Sequence, residues 1–293
     1  HIGSYVAQNI HKIKKIKKTI LVDNIKSNRF CSLFNLKKKS NLKFYLRDVD
    51  KLNSLDDFKN IDYVIHCASM TNAEKSFGKE KLMYKNNINC LKTVIKFCKR
   101  NKAKLIHLSS TSVYGKQTDL VDESCEKKYL KPQSPYADIK LLEERMLIRE
   151  KKNLRYNTFR FGTISGISKG IRFHTAVNKF CLNAAINEDI HVYKTALHQF
   201  RPYLSLSDAL KSFKFCIEKD FFQNEYKISK LSDRMGMRLE GKKIENIVDP
   251  NIKSEGLLKG VIQITADGDP IIMLSDHGTI GGYPKIAVVI SAD

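Results

Sequence analysis

The chain has 293 residues, 42% of them hydrophobic, and carries 52 Lys and Arg against 31 Asp and Glu, a net charge of +21. That length holds one large or two ordinary domains, each with a core. No apolar run approaches the ~20 residues that cross a bilayer and no secretory leader pattern opens the sequence, so no membrane role and a cytoplasmic location are expected.

His1-Ile2-Gly3-Ser4 opens the chain, and an amphipathic helical pattern runs on through Ile10, Ile13 and Ile16. Residues 18–23 read as a strand that ends in an acid, Asp23, 20 residues after Gly3. That spacing suits a dinucleotide-binding unit, in which a glycine turn opens the first helix and a later acid holds the adenosine ribose. Gly3 fits the last glycine of such a turn, so the first strand and its earlier glycines are expected before residue 1. Residues 44–48 read as a short strand and 62–69 as a stronger one that ends in small residues. His66 on that strand reads as a core histidine. Residues 79–100 form a long helical pattern.

The centre of the chain holds the chemistry. The apolar run Leu105-Ile106-His107-Leu108 leads into the hydroxyl-rich Ser109-Ser110-Thr111-Ser112-Val113-Tyr114-Gly115, and a helix opens at Pro135. Tyr136 and Lys140 are four residues apart and project from one helix face. An ammonium beside a phenol stabilises the phenolate and makes Tyr136 a proton-transfer group. Ser110, at the strand end, could hold a substrate oxygen against it. Residues 155–162 read as another strand and 173–186 as another helix. Strands alternating with helices predict a parallel, doubly wound α/β sheet, with ligands at the carboxyl ends of its strands.

The seven cysteines contain no C-x-x-C pair. Free thiols are therefore expected, with no metal site. The charge is unevenly placed, with 8 Lys and Arg against 9 acids from Lys230 onward and 44 against 22 before it. The basic excess is mostly Lys without a stripe of Arg and aromatics, so a solvated surface is expected in preference to nucleic-acid binding. The break near residue 228 predicts two segments of different origin. After it come short β-rich runs at 261–265, 271–275 and 286–291, with Gly281-Gly282-Tyr283-Pro284 as a turn. Arg234 and Arg238 flank Gly236, which reads as a loop.

Residues 1–225 resemble the extended short-chain dehydrogenase/reductases, the NAD-dependent epimerase/dehydratase family. The resemblance rests on His1 to Ser4, Val22-Asp23-Asn24, Arg47-Asp48-Val49, His66 to Ser69, Asn86-Asn87-Ile88, Ser109 to Gly115, Ser134 to Lys140 and Arg201 to Ala209. It implies a Rossmann-like sheet lacking its first strand, and NAD as cofactor. Ile2, Gly3, Asp23, Asn24, Asp48, Val49, Ala68, Asn87, Tyr136 and Lys140 would lie at the cofactor, with Asp23 favouring NAD over NADP. Ser110, Tyr136 and Lys140 would be the catalytic trio. Ser110, Thr111, Asn178 and Arg201 would meet a nucleotide sugar, with Arg201 facing its diphosphate. A homodimer is a further expectation. The family's 4,6-dehydratases carry two acids where Thr111 and Ser112 stand here, which favours an epimerase or reductase.

Residues 226–293 resemble part of a second family, the 5-oxoprolinase C-component group, which comprises biotin-dependent carboxyltransferases and is also called allophanate hydrolase subunit 2. Ser232 to Gly241, Ser254-Glu255-Gly256 and Gly281 to Asp293 carry that likeness. It implies a fragment of a cyclophilin-like β-barrel and a role in 5-oxoproline cleavage or carboxyl transfer. Two unrelated resemblances make a chimeric chain the expected explanation.

Overall fold

The computed structural model describes residues 1–13, 16–26, 30–36, 41–71, 76–116, 121, 123, 125–192, 194, 201–218, 226–244 and 250–288, and of 218 and 286–288 the backbone only. The chain forms two compact units, His1–Glu218 and Lys219–Asp293. The expected junction after residue 225 borders residues 219–225, which lie outside the described residues.

The first unit runs α1 (Ile2–Asn9), β1 (Thr19–Asp23), β2 (Leu42–Leu46), β3 (Tyr63–His66), α2 (Glu80–Asn101), β4 (Lys104–Ser110), α3 (Pro135–Arg149), β5 (Tyr156–Phe161), β6 (Thr163–Ser165), α4 (Ala176–Ala185), β7 (Tyr203–Ser205) and α5 (Leu206–Glu218). Its strand pairs are all parallel: β1 with β2, β3-β4-β5, and β6 with β7. β4 is the centre of its sheet, and six of its seven residues are buried, as a strand covered on both faces requires. On one face Leu91, Val94 and Cys98 of α2 and Leu147 of α3 pack on Leu105. On the other, Val6 and Ile10 meet Ile106, Leu108 and Phe213 of α5. β1–β2 and β3–β4–β5 are hydrogen-bonded as separate sheets, yet Ile20 and Val22 of β1 share the α2 cluster with Val64 of β3. Each fully buried aliphatic side chain contributes ~1.5–3 kcal/mol, so α2 holds the two sheets as one layer.

Several boundaries differ from the sequence expectation. The second strand covers 42–46, not 44–48. Arg47 turns out to pair with Asp57, and Asp48 receives a hydrogen bond from Asn24, which ends the extended run. The apolar pattern through Ile13 is a helix to Asn9 followed by a 3-10 turn, Ile10–Lys12. α4 starts at Ala176 and not at 173.

The second unit is antiparallel. Strands β8 (Lys227–Ile228), β9 (Gly236–Glu240), β11 (Val261–Ile264), β12 (Pro270–Met273) and β14 (Lys285–Val288) form a sheet in the order β14-β11-β12-β9-β8. β10 (Glu255–Gly256) pairs with β13 (Ile280–Gly281). β14 and β8 are the edges, so the described residues do not close the expected barrel. Ile262 and Ile264 pack with Leu239 and Ile244 on one side, and Val261 with Leu257, Ile271 and Met273 on the other. The expected loop at Arg234–Arg238 is corrected. Gly236 starts β9, and a Cβ there would sit 2.9 Å from Ile271 Cγ2, so glycine serves close strand packing. The last part of the expected strand at 286–291 lies outside the described residues.

Candidate functional site

α3 begins where its sequence dictates. Ser134 caps it, accepting from the Ala137 N–H at 3.2 Å, and Pro135 occupies the first helical position. This start sets Tyr136 in the first turn and Lys140 one turn on. Lys140 is 3% exposed, with its Nζ 5.9 Å from the Tyr136 ring centre. Tyr136 itself packs beside Met83 and Ile88 of α2 and Ile139.

β4 delivers Ser110 to the same end of the sheet. Ser110 Oγ accepts from the Ser112 N–H at 3.2 Å and from Ser112 Oγ at 2.9 Å, capping the 3-10 turn Thr111–Tyr114. Val113 and Tyr114 of that turn pack on Leu141 of α3, so the hydroxyl turn and the Tyr136 helix are fixed to each other. Thr111 Oγ1 reaches the Phe161 carbonyl at 3.5 Å.

Beneath Lys140 lies a buried polar group that the sequence pattern did not reveal. Lys140 Nζ donates to Glu143 Oε2 at 2.7 Å, with both side chains buried. Burial opposes the Lys140 charge, but Glu143 and Tyr136 overcome it and the net shift is upward, so the ammonium is kept. Burial pushes Glu143 up while Lys140 pulls it down. The 2.7 Å contact to a retained ammonium argues for a carboxylate there. His107 Nε2 lies 3.4 Å from Glu143 Oε2 without hydrogen-bond geometry, and its ring stacks on His66 at 6.1 Å. Burial, aided by the Lys140 charge, lowers His66 to about 3 and His107 well below its ordinary value, so both rings are neutral. The next acid, Glu144, takes a bidentate hydrogen bond from Arg160 of β5 at 2.8 and 3.0 Å and another from Ser109, while Arg160 reaches the Tyr114 hydroxyl at 2.9 Å. The available signal was position: acids three and four residues after Lys140 share its inward helix face.

The expected cofactor residues fall into three places. Gly3 lies in α1, where a Cβ would sit 3.7 Å from Cys67 Cβ, so helix and strand end are close. Ile2, beside it, packs into the α1 core. Loop 166–170 lies on the start of this helix: His1 Nε2 is 3.0 Å from the Gly166 carbonyl, and the Gly170 N–H donates to Ser4 Oγ at 3.0 Å. At the end of β1, Asp23 is exposed and accepts from the Ile25 N–H at 2.7 Å. Asn24 donates to Asp48 at 2.9 Å and Lys26 pairs with Asp48. Although burial opposes it, these two partners hold the Asp48 carboxyl below its usual range. Val49 is buried in the core cluster against α2 and Ala68 packs at its margin. Asn87 is fully buried, accepting from the Met70 N–H at 2.8 Å and donating to the Met70 carbonyl at 3.0 Å. It clamps the loop after β3.

Of the expected substrate residues, Asn178 accepts from the Gly166 N–H at 3.2 Å and donates to the Arg172 carbonyl at 3.0 Å, tying two loop segments together. Arg201 stands exposed before β7. Arg172 was not foreseen; its guanidinium bonds Thr71, and its charge, with those of the N-terminus, Lys140 and Asp23, is felt at Cys67. Burial pushes Cys67 up to about 11, so it is a thiol, and all seven cysteines are free.

These groups fit a dinucleotide. Lys140 has two N–H donors beyond the one given to Glu143 and Asp23 has lone pairs left for ribose hydroxyls. A parallel sheet with these groups at its strand ends is the frame of a dinucleotide-binding fold. Residues 1–229 match the NAD dependent epimerase/dehydratase family. Residues 181–293 match the carboxyltransferase domain, subdomain A and B. The chain is 27% identical over 248 residues to dTDP-D-glucose 4,6-dehydratase of Dictyostelium discoideum, covering 78% of this chain and 55% of that protein. It is 42% identical over 73 residues to the C component of 5-oxoprolinase from Escherichia coli (strain K12), which is 25% of this chain and 24% of that protein. The chain thus spans about half of the former relative and a quarter of the latter. A solved UDP-N-acetylglucosamine 4-epimerase from Methanobrevibacter ruminantium M1 superposes with a TM-score of 0.66 at 26% identity, over 75% of this chain and 71% of that one. The chain belongs to the NAD-dependent epimerase/dehydratase family. Its cofactor is the family's NAD. Among the described residues no helix is long and apolar enough to cross a membrane.

Proposed function

We propose that the first unit is a nucleotide-sugar epimerase or reductase, acting by hydride transfer at a sugar carbon. The observation that carries this reading is Lys140, buried as an ammonium beneath Tyr136, on a helix packed against the Ser110 turn. NAD, when bound, supplies the hydride acceptor and donor. Tyr136 Oη takes the proton from the sugar hydroxyl. Lys140 sets its charge 5.9 Å from the Tyr136 ring centre and would hold the nicotinamide ribose. Ser110 donates a hydrogen bond to the reacting oxygen. Bound NAD would also supply the hydride's return to the opposite face, which would invert the carbon. Asp23 and Asn24 serve the adenosine ribose, Asp48 and Val49 the adenine, and Ile2, Gly3 and Ala68 the close approach of backbone. Asn87 holds the loop they depend on. Thr111, Asn178 and Arg201 serve the sugar nucleotide, Arg201 at its diphosphate. Thr111 and Ser112 bring hydroxyls where an elimination needs acids, which supports epimerase or reductase over dehydratase.

The test is conversion of UDP- and dTDP-hexoses with NAD, the epimeric product identified by NMR, and loss of NADH absorbance with the corresponding keto-sugars. Tyr136→Phe should lower kcat by ~100-fold or more, the scale of a lost general base. Retained turnover removes Tyr136 from the mechanism. A second reading, a carboxyltransferase-like role for the second unit, rests on its match to subdomain A and B over residues 181–293. It predicts 5-oxoproline cleavage when the chain is combined with the remaining components of such an enzyme.

A further inference from the structure

The C-terminal halves of α2 and α3 border a shallow, open groove at the end of the sheet opposite Ser110. One part, of about 450 Å³, has Ile95 and Met146 as its floor and Lys92, Lys96, Lys99 and Arg149 around it, with Glu150 as its acid. An adjoining part of about 280 Å³ shares Lys99 and adds Lys102, Lys151, Lys152 and Arg155, with no acid. The two meet at Lys99, and the second extends to Lys102, which leads into β4, and Arg155, which leads into β5. We propose that this groove binds a linear chain of phosphates of three or more units.

Of the cations on the C-terminal half of α2, Arg100 and the groove residues Lys96 and Lys99 already have partners. Arg100 pairs with Asp56 at 2.5 Å, and Lys96 reaches Asn53 at 2.8 Å and Asp56 at 3.7 Å. Lys99 pairs with Glu150. By contrast, the side chains of Lys92, Lys102, Arg149, Lys151 and Lys152 have no hydrogen bond or ion pair among the described residues. Lys92 and Lys96 are like charges four residues apart on α2, an arrangement that destabilises a helix, and Arg149, the last residue of α3, lies three residues before Lys152. A concave, cation-lined surface also concentrates the field that attracts an anion.

The class of anion follows from spacing and from what is missing. Cations at 92, 96 and 99 recur every ~4.5–6 Å along the helix axis, a density suited to consecutive phosphates. The groove lining has no aromatic residue, so it lacks the stacking platform that holds bases of single-stranded nucleic acid. A second copy related by a two-fold would set the same cations against themselves, so this face suits an anion better than another protomer. Lys104 and Tyr156 begin the strands here, whereas Ser110 ends one, so occupancy here is independent of the site at Tyr136.

Isothermal titration of the full chain with inorganic tripolyphosphate in 0.15 M salt tests this directly. Lys92→Glu with Lys152→Glu should weaken binding by at least about tenfold, the scale of one or two lost charge contacts. Lys92→Gln with Lys152→Gln should weaken it less and in the same sense. Lys81→Glu with Lys85→Glu makes the same charge change on exposed positions of α2 outside the groove and should stay within about twofold. Tyr136→Phe should bind tripolyphosphate as the parent does. The proposal is overturned by no binding to the parent, by equal weakening in the two Lys→Glu pairs, or by a 12-nucleotide oligomer binding more tightly than tripolyphosphate with the groove pair abolishing both.

Discussion

The two units of this chain differ in whether they bury charge. In the first, the sheet is parallel and helices cover both faces, so polar side chains gather at the carboxyl ends of strands or are buried as paired sets, such as Lys140–Glu143 and Arg160–Glu144. In the second, an antiparallel sheet has its interior filled by Val261, Ile262, Ile264 and Ile271, and its ion pairs are partly or fully exposed, as at Lys243–Asp269 and Lys285–Glu255. Burial of charge is costly and survives where each member is paired. The first unit therefore commits stability to a constellation, while the second commits it to packing. That contrast carries the assignment of the chemistry to the first unit.

The largest expected effect comes from breaking one of those buried pairs. Glu144→Ala leaves Arg160 without its carboxylate and should destabilise the first unit by ~3–5 kcal/mol, read by urea denaturation, with the second unit's transition unmoved. A shift of both transitions together would join what the contrast separates. Core truncations sharpen the same point. Leu91→Ala and Ile262→Ala, each on a fully buried side chain, should cost ~2–5 kcal/mol and move only the unit that contains the residue.

Acid distinguishes the units by a smaller amount. His66 is held at about 3 by burial, whereas the unfolded chain titrates near ~6.5. Between these values the unfolded state binds the proton that the folded state refuses, so stability falls as pH drops through this window. At pH 5 the loss should be about 2 kcal/mol for His66, with His107 acting in the same direction. His66→Asn should flatten the slope; an unchanged slope assigns the acid sensitivity elsewhere. The second unit, whose described residues include no buried histidine, should lack this window. The smallest effect should come from removing residues 226–293, which should leave nucleotide-sugar turnover within about twofold and NAD affinity unchanged. Limited proteolysis should cut early between 219 and 245. One cooperative melt that moves on deletion would show a single evolved domain.

Much of the first unit was legible because its strands are apolar runs between helical patterns. β3, β4 and β5 were foreseen, and α2 begins within a residue of its expected start. β6 and β7, with three residues each, carry no periodicity to read, and α5 was hidden behind a motif read only for its likeness. Ser110, Tyr136 and Lys140 could be singled out from the sequence because a hydroxyl turn and a helical pair are local patterns. Glu143, Glu144 and Arg160 were not, because adjacent acids on a helix look like a solvated face until the tertiary structure buries them. In the second unit Gly236 looked like a loop residue, and only the approach of Ile271 shows why a strand needs it.

The Ser110–Ser112 contact has a directional consequence. Ser110 Oγ accepts two hydrogen bonds, one from a backbone N–H and one from the Ser112 hydroxyl. A hydroxyl has two lone pairs and one hydrogen, so both acceptor sites are filled and only the hydrogen remains to offer. Each incoming bond polarises that O–H further. The turn thus fixes the polarity of Ser110 before anything binds: it welcomes an atom rich in electrons and turns away a donor. A carbonyl or alkoxide oxygen accepts that hydrogen more strongly than a neutral alcohol oxygen does, so the turn favours the reacting oxygen once its proton has left.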